Sequence, residues 1–145
     1  MNKALSGIRV LDFTQVLAGP FCTMNLADFG AEVIKIEKPG TGDGSRIFGP
    51  FINGQSGYYT LVNRGKKGVA LDLKKGKDII YEMVRNCDIV VENFKPGVME
   101  KLGYSYEQLK KVNPGIIYCS ISGFGQDSPM RDLPAYDIVA QGMSG

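Results

Sequence analysis

The sequence predicts an α/β domain built around a mostly parallel β-sheet. Apolar runs rich in Val, Ile and Leu recur along the chain with little alternation, which is typical of strands buried on both faces. Helical patterns separate these runs in the order β-α-β and then β-α-β-α-β, and this order favours parallel pairing. The five predicted strands cover residues 8–13, 32–36, 68–73, 88–92 and 116–121.

The predicted helices lie between the strands. Pro20 suits a first helical position and Gly30 suits a C-terminal cap, so residues 21–29 are predicted to be helical. A second helix is predicted over residues 77–86, because one apolar stripe recurs there at helical period. The stripe consists of Ile79, Ile80, Met83 and Val84.

Ser105 and Gln108 have the spacing of a capping box, which predicts a third helix through Val112. Residues 37–56 and 122–134 are long and irregular, and loops of this kind often carry function. Residues 135–145 begin a further helical pattern that has no following element. We therefore expect the sequence to be a fragment of a longer protein.

The composition is that of one globular domain of 145 residues. The net charge of +2 gives no support to nucleic-acid binding, and no apolar run approaches the roughly 18 residues of a membrane span. The N-terminal residues lack the apolar stretch of a signal peptide. We expect a cytoplasmic protein that binds neither nucleic acid nor membranes.

The sequence contains no histidine and three widely spaced cysteines, Cys22, Cys87 and Cys119. The absence of histidine removes the usual Ser-His and Cys-His nucleophile pairs. The cysteines lack the spacing of zinc ligands, and each adjoins apolar residues. We expect buried, reduced thiols and no metal site.

The turn after the first predicted strand raises the possibility of a dinucleotide. It contains a single glycine, Gly19, followed by Pro20, and the acidic Glu37 follows the second strand. A dinucleotide-binding turn has three glycines, and proline lacks the N–H group needed to cradle a pyrophosphate. An NAD-dependent oxidoreductase is therefore the less favoured alternative.

Basic residues near the predicted strand ends favour another ligand that carries phosphate. Parallel sheets bind their ligands at the carboxyl ends of the strands. A solvated surface is the ordinary explanation of such residues, and it stays open here. The residues are Lys38, Arg46, Arg64, Lys66, Lys67, Lys74 and Lys75.

Several segments together resemble the opening of the family III coenzyme A transferases, which include formyl-CoA transferase and carnitine CoA-transferase. The most specific are "LADFGAEVIKIE" at residues 26–37 and "VENFKPG" at residues 91–97. The similarity covers nearly the whole chain in order. The resemblance implies that residues 1–145 are the N-terminal segment of the large domain, without the catalytic segment and the small domain.

The resemblance also implies a Rossmann-like fold and an interlocked homodimer of the full-length parent. Its reaction moves CoA from an acyl-CoA to a carboxylic acid. An aspartate attacks the thioester to give a mixed anhydride, and the released CoA thiolate then forms an aspartyl-CoA thioester. This chemistry needs no permanently bound cofactor, because coenzyme A and acyl-CoA are substrates.

The family's CoA contacts fall on four groups of residues here. The turn after the first strand contributes Gln15, Leu17 and Ala18, where formyl-CoA transferases have histidine and glutamine at the first two positions. Lys38 lies where the family often has arginine near the adenine and phosphates. The segment bordering the adenosine contributes Leu71, Asp72, Leu73 and Lys74. The segment along the pantetheine arm contributes Asn93, Phe94 and Lys95.

Three further positions complete the implied CoA site. Lys101 matches a basic residue for the phosphate, and Tyr136 and Asp137 match the segment just before the active site. Structural explanations remain open, since Phe94 could be core and Asp72 could cap its turn. Tyr136 could likewise only pack.

The resemblance implies that the nucleophilic aspartate lies downstream of residue 145, so this chain contains no catalytic residue. Asp137 does not match the family's nucleophile motif. We therefore expect the chain to be inactive alone and its full-length parent to be a transferase. The main alternative is a non-catalytic module that binds CoA or pairs with a longer subunit.

Overall fold

The structure, a computed structural model, describes residues 3–145. In chain order the elements are β1 (Arg9–Asp12), α1 (Ala18–Asp28), β2 (Glu32–Glu37), a 3₁₀ helix (Gly44–Ile47), β3 (Phe51–Ile52), β4 (Gln55–Ser56), α2 (Gly57–Val62), β5 (Lys67–Ala70), α3 (Lys77–Arg85), β6 (Ile89–Glu92), α4 (Val98–Leu102), α5 (Tyr106–Lys110), β7 (Ile117–Ser120) and α6 (Asp137–Ser144).

Five strands form one parallel sheet in the order β5-β2-β1-β6-β7. This confirms the predicted Rossmann-like α/β fold. The strand order changes direction between β1 and β6, so the carboxyl ends of these two strands flank the topological switch point. Open α/β sheets bind ligands in the crevice at this point.

The sheet is covered on both faces by apolar side chains. Successive residues of a strand point to opposite faces, and the neighbours Val10 and Leu11 accordingly belong to different core clusters. The larger cluster includes Phe13 and Tyr104, whose rings stack at 6.0 Å between centroids. Burial on both faces explains why the strands read as continuous apolar runs.

Helix α1 begins three residues earlier than predicted, at Ala18. Pro20 therefore occupies the third helical position, where a backbone N–H still has no partner within the helix. The first helical hydrogen bond runs from the Phe21 N–H to the Leu17 carbonyl at 2.8 Å. Gly30 follows the helix with a φ of +105°, as its predicted capping role requires.

The stripe on α3 is narrower than predicted. Ile80 and Val84 are fully buried, but Ile79 is 54% exposed and faces away from the core. The helix ends at Arg85, one residue before the predicted end. The predicted capping box at α5 is present, and the Ser105 N–H donates to the Gln108 side-chain oxygen at 2.9 Å.

The structure contains elements that the sequence patterns did not predict. The segment 37–56 holds the 3₁₀ helix and the short β3–β4 hairpin, and α2 and α4 follow in other loops. These elements have six residues or fewer, too short to show a periodic pattern. The third main strand, β5, ends at Ala70 rather than at residue 73. Among the described residues, no helix is long and apolar enough to cross a membrane.

The three cysteines are free thiols with different exposure. Cys87 is buried, whereas Cys22 and Cys119 are only half-buried, so the expectation of burial was wrong for these two. Burial raises the pKa of Cys87 to about 11. Burial also raises the pKa values of Cys22 and Cys119. All three side chains are therefore protonated, weakly nucleophilic thiols at neutral pH.

Candidate functional site

The turn that follows β1 lies at the switch point of the sheet, and we refer to residues 14–17 as the β1 turn. Asn93, directly after β6, lies next to it. The Gln15 N–H donates to the Asn93 side-chain oxygen at 2.8 Å, and the Asn93 amide donates to the Gln15 carbonyl at 2.8 Å. This pair of hydrogen bonds fixes the Gln15 backbone while its side chain stays exposed.

A buried ion pair lies beneath the β1 turn. The Lys35 ammonium on β2 is 2.9 Å from the Asp43 carboxylate, and both side chains are almost fully buried. Burial alone would raise the pKa of the Asp43 carboxyl, but the Ser45 backbone N–H and the Lys35 ammonium together lower it. Asp43 is therefore a buried anion whose Oδ1 accepts hydrogen bonds and whose Oδ2 has only the Lys35 ammonium as its ion-pair partner.

A second buried ion pair fixes the start of α1. The Lys66 ammonium is 3.0 Å from the Asp12 carboxylate and also donates to the Pro20 carbonyl at 3.0 Å. Asp12 accepts further hydrogen bonds from the hydroxyls of Thr14 and Thr23, at 2.5 and 2.7 Å. Burial lowers the pKa of Lys66, and the Asp12 carboxylate opposes this shift.

A cavity of about 430 Å³ opens at the carboxyl ends of β2 and β5. Lys38 and the glycine-rich loop after β2 form one side, and the end of β5 forms the other. The cavity lies about 10 Å along the same sheet edge from the β1 turn, since two strand spacings separate them. Its lining residues are Glu37, Lys38, Gly40, Thr41, Gly42, Arg46, Gly68, Val69 and Ala70.

Glu37, at the end of β2, is held by four donors. Arg46 donates twice, at 2.7 and 2.8 Å, the Tyr59 hydroxyl donates at 2.6 Å, and the Asp43 N–H donates at 2.8 Å. Burial would raise the pKa of Glu37, but the hydrogen bonds from Arg46 and Tyr59 lower it to about 2. Both carboxylate oxygens are occupied, so Glu37 is unavailable to bind a ribose as the dinucleotide alternative requires.

The predicted basic cluster is divided by the structure. Four of its members form ion pairs inside the domain, and Lys66 is buried rather than exposed, so these are not free for a phosphate. They are Arg46 with Glu37, Arg64 with Asp28, Lys66 with Asp12 and Lys67 with Glu32. Lys38, Lys74 and Lys75 remain exposed near the ligand-binding edge of the sheet.

The structure places most predicted contact residues on one edge of the sheet. Leu17 and Ala18 continue from the β1 turn into α1, and Lys38 follows β2. Leu71, Asp72, Leu73 and Lys74 follow β5 in a turn, rather than lying within the strand. Asn93, Phe94 and Lys95 follow β6. Eleven of the fourteen predicted residues thus lie in the segments that follow four adjacent strands, β5, β2, β1 and β6.

Some of these residues also have structural roles. Asp72 accepts a hydrogen bond from the Lys74 N–H at 2.8 Å, which is the turn-capping role considered above. The Leu73 carbonyl accepts from the Tyr104 hydroxyl at 2.5 Å, and Leu71 packs against the main core. Phe94 is half-buried and packs there too, with part of its ring accessible.

The remaining three predicted residues lie on or next to the helices α4 and α6 rather than directly after a strand. Lys101 is exposed on α4, and Tyr136 and Asp137 are exposed at the start of α6. Asp137 accepts a hydrogen bond from Gln141 within the same helix, at 2.5 Å. Within the described part of the chain, no hydrogen bond or ion pair joins these three to the β1 turn or the cavity.

Sequence reasoning missed the charged residues that support the site. Asp12 and Lys35 lie inside predicted strands, in the segments "RVLDF" and "EVIKIE", where most of the neighbouring residues are apolar. A charge in a strand buried on both faces requires a partner. That rule would have indicated a buried ion-pair network, although the sequence does not identify Asp43 and Lys66 as the partners.

The sequence model of CoA-transferase family III matches residues 5–145. The chain belongs to CoA-transferase family III. The match covers nearly the whole chain and confirms the resemblance found in the sequence.

Named relatives within the family are CoA-transferases. The chain is 51% identical over 146 residues to succinyl-CoA:glutarate CoA-transferase of Mus musculus, covering 99% of the chain and 34% of the relative. It is 53% identical over 141 residues to acetyl-CoA:oxalate CoA-transferase of Acetobacter aceti, covering 96% and 36%. The chain thus spans about a third of the length of these curated relatives.

Solved structures of the family have the same fold. A CAIB/BAIF family protein from Brucella suis superposes with a TM-score of 0.93 at 40% identity, over all of this chain and 40% of that one. Rv3272 from Mycobacterium tuberculosis gives a TM-score of 0.90 at 40% identity, over 99% of this chain and 41% of that one.

Proposed function

We propose that this chain is the N-terminal segment of the large domain of an acyl-CoA:carboxylate CoA-transferase and supplies part of its CoA site. The observation that carries the proposal is the sheet edge described above. The cavity beside Lys38 and the β1 turn lie about 10 Å apart on that edge, about two strand spacings. One extended ligand with phosphates at one end and a reactive thioester at the other would occupy both.

In this arrangement the nucleotide end of CoA lies at the cavity. Lys38 is exposed at its rim, and the loop that follows it supplies small residues that let a ligand approach the backbone. Lys74 and Lys101 provide further positive charge for the phosphates. An ammonium is a compact charge without the planar fork of arginine, so Lys38 attracts phosphate but does not bind it in a bidentate manner.

The pantetheine arm then passes Asn93, Phe94 and Lys95 towards the β1 turn. The accessible part of the Phe94 ring gives the arm an apolar wall. Gln15, Leu17 and Ala18 lie at the reactive end, with Tyr136 and Asp137 completing the site from α6. The role of these residues is to bind and orient the thioester, because no catalytic residue is proposed within the chain.

The nucleophile of the proposed reaction is an aspartate downstream of residue 145. Its carboxylate attacks the thioester carbonyl and expels CoA thiolate, which leaves a mixed anhydride. The thiolate attacks the aspartyl carbonyl of that anhydride, which forms the aspartyl-CoA thioester and releases the first acid. The second acid then reverses these steps. We further propose that the full-length parent is an interlocked homodimer.

The first experiment is a calorimetric titration of the full-length protein with CoA, with NADH as the control. Saturable binding of CoA alone supports the proposal, and binding of NADH alone favours the oxidoreductase alternative. A transfer assay with succinyl-CoA as donor and oxalate or glutarate as acceptor tests the reaction, since the relatives' names contain these acids. CoA binding without transfer to any acid would favour the non-catalytic module.

A second experiment locates the nucleophile. The protein is incubated with acyl-CoA, and peptides are examined by mass spectrometry for a CoA adduct on aspartate. We expect the adduct on a peptide downstream of residue 145. An adduct on any aspartate within residues 1–145 would contradict the proposed division of the protein.

A further inference from the structure

We propose that Asp43, held in place by Lys35, is a positioning residue that keeps the β1 turn in its ligand-binding conformation. The inference rests on the proposed function, in which the β1 turn seats the thioester end of acyl-CoA. It assigns a role to two buried charges that do not line the crevice themselves.

The first step is the backbone of Val16. Its φ is +68°, in the left-handed region that branched side chains strongly disfavour. Strained residues of this kind persist only where the surrounding structure fixes them, and they concentrate at functional sites. The β1 turn therefore needs a specific set of contacts to keep its shape.

Lys35 and Asp43 supply those contacts on the two peptide groups that precede the strained residue. The Val16 N–H donates to the Asp43 carboxylate at 3.1 Å, and the Lys35 ammonium donates to the Thr14 carbonyl at 2.7 Å. The same two side chains form the buried ion pair of 2.9 Å. Asn93 forms hydrogen bonds with the backbone of the intervening Gln15. The side chains of Lys35, Asp43 and Asn93 thus hold consecutive peptide groups of the turn, although they are distant from it in sequence.

Asp43 is itself fixed on the side of the cavity. Its carboxylate accepts hydrogen bonds from the Ser45 N–H and hydroxyl, both at 2.8 Å, and its own N–H donates to Glu37 at 2.8 Å. Asp43 also ends the loop whose glycines line the cavity. The residue thus links the walls of the proposed nucleotide pocket to the turn at the proposed reactive end.

The result is a turn with a fixed backbone and free side chains. Val16 is 38% exposed and Leu17 is 41% exposed. Their side chains are available to an acyl group, whereas the Val16 N–H and the Leu17 carbonyl are already bonded, to Asp43 and to the Phe21 N–H. This is the arrangement expected of a preorganised binding loop, in which supporting residues hold those that contact the ligand.

The test compares two double variants of the full-length protein, K35M/D43N and K35M/D43A. Both remove the buried charges together, which avoids leaving one unpaired. They differ in whether position 43 keeps an oxygen that accepts from the Val16 N–H, and from the Ser45 N–H and hydroxyl on its other side. We expect KM for acyl-CoA to be about tenfold higher in K35M/D43A than in K35M/D43N, as for loss of one buried hydrogen bond. The exposed Glu82→Gln on α3 serves as the unrelated control.

A loss of folded protein alone would lower the apparent kcat and leave KM unchanged. Equal KM values in the two double variants would therefore overturn the proposal. Val16→Pro provides a second test if K35M/D43A does not fold, because proline lacks the N–H and cannot adopt this φ. A rise in KM is expected, and an unchanged KM in Val16→Pro would also refute the positioning role.

Amide hydrogen exchange separates this inference from the proposed function. We expect the peptide containing Val16 to exchange faster in K35M/D43A than in K35M/D43N, whether or not the protein transfers CoA. Equal exchange would show that Asp43 does not hold the turn. Absence of CoA binding and transfer in the unmodified protein would instead refute the proposed function.

Discussion

Asn93 and Gln15 are joined across the switch point of the sheet by two hydrogen bonds of 2.8 Å, although 78 residues separate them in the chain. The Asn93 side chain serves as both donor and acceptor for the same backbone residue. This links the end of β6 to the turn after β1, and the relationship makes a direct prediction about binding.

Asn93→Ala in the full-length protein should lower kcat/KM for acyl-CoA roughly tenfold or more, mainly through KM. The reason is that two hydrogen bonds to the Gln15 backbone are lost, each with a net value of about 1 kcal/mol. Steady-state kinetics measure the change. Asn86→Ala is the matched control, because Asn86 also bonds a backbone carbonyl but lies after α3. Equal kinetics in the two variants would argue against a binding role for Asn93.

Lys38→Ala should weaken CoA binding by more than the roughly 1 kcal/mol typical of an exposed charge pair. The effect should shrink as salt is raised, because mobile ions screen exposed charges. Lys38→Arg should retain or improve affinity, since the guanidinium adds a bidentate contact to phosphate. Calorimetry at two salt concentrations measures both effects. Lys110→Ala, on α5, controls for a general loss of surface charge, and equal affinity in Lys38→Ala would place Lys38 outside the site.

Glu37 predicts how stability depends on pH. Its folded pKa of about 2 lies below the ordinary 4.5, so its contribution is fully present above about pH 4.5 and is lost as pH falls towards 2. The contribution is on the order of 2 kcal/mol at neutral pH, after allowance for screening at the partly exposed Arg46.

Glu37→Gln should therefore reduce stability at neutral pH and flatten its decline under acidic conditions. Urea unfolding at several pH values measures the difference, with the exposed Glu82→Gln as control. If Glu37→Gln and the unmodified protein lose stability in parallel as pH falls, the hydrogen bonds to Glu37 are not the source of the dependence.

Gly19→Ala should destabilise the protein and weaken CoA binding. An added Cβ would lie 2.4 Å from Thr14 and 3.1 Å from Asn93, so the start of α1 or the β1 turn must move. Thermal unfolding and calorimetry test this expectation. Gly142→Ala, on α6, has open space around the added atom and should be neutral or slightly stabilising. Similar behaviour of both variants would show that the turn tolerates displacement.

The fold could be predicted from sequence because its strands are buried on both faces. Continuous apolar runs such as "IVV" at residues 89–91 have no other simple explanation when helical patterns separate them. Boundaries were less accurate, and the strand predicted over residues 68–73 ends at Ala70. Leu71 continues the apolar pattern and its N–H still bonds the Glu37 carbonyl, but the chain then turns away.

The candidate site was only partly accessible to sequence reasoning. The family resemblance indicated Asn93 and Lys38 as CoA contacts. It did not indicate that the Asn93 side chain also bonds the backbone of Gln15. Lys66 was expected among exposed cations, yet its side chain is almost fully buried against Asp12. Sequence spacing carries no information about such pairings, because they join segments brought together only by the sheet order.

The buried pair of Lys35 and Asp43 has a consequence for how this protein can diverge. Replacing either residue alone leaves the other as an unpaired charge in the interior, which is strongly destabilising. The two positions are therefore expected to change together or not at all. The exposed side chains at positions 15–17 carry no such constraint, because their backbone is held from below. In the proposed site, single substitutions on the β1 turn can therefore change substrate preference while Lys35 and Asp43 stay the same.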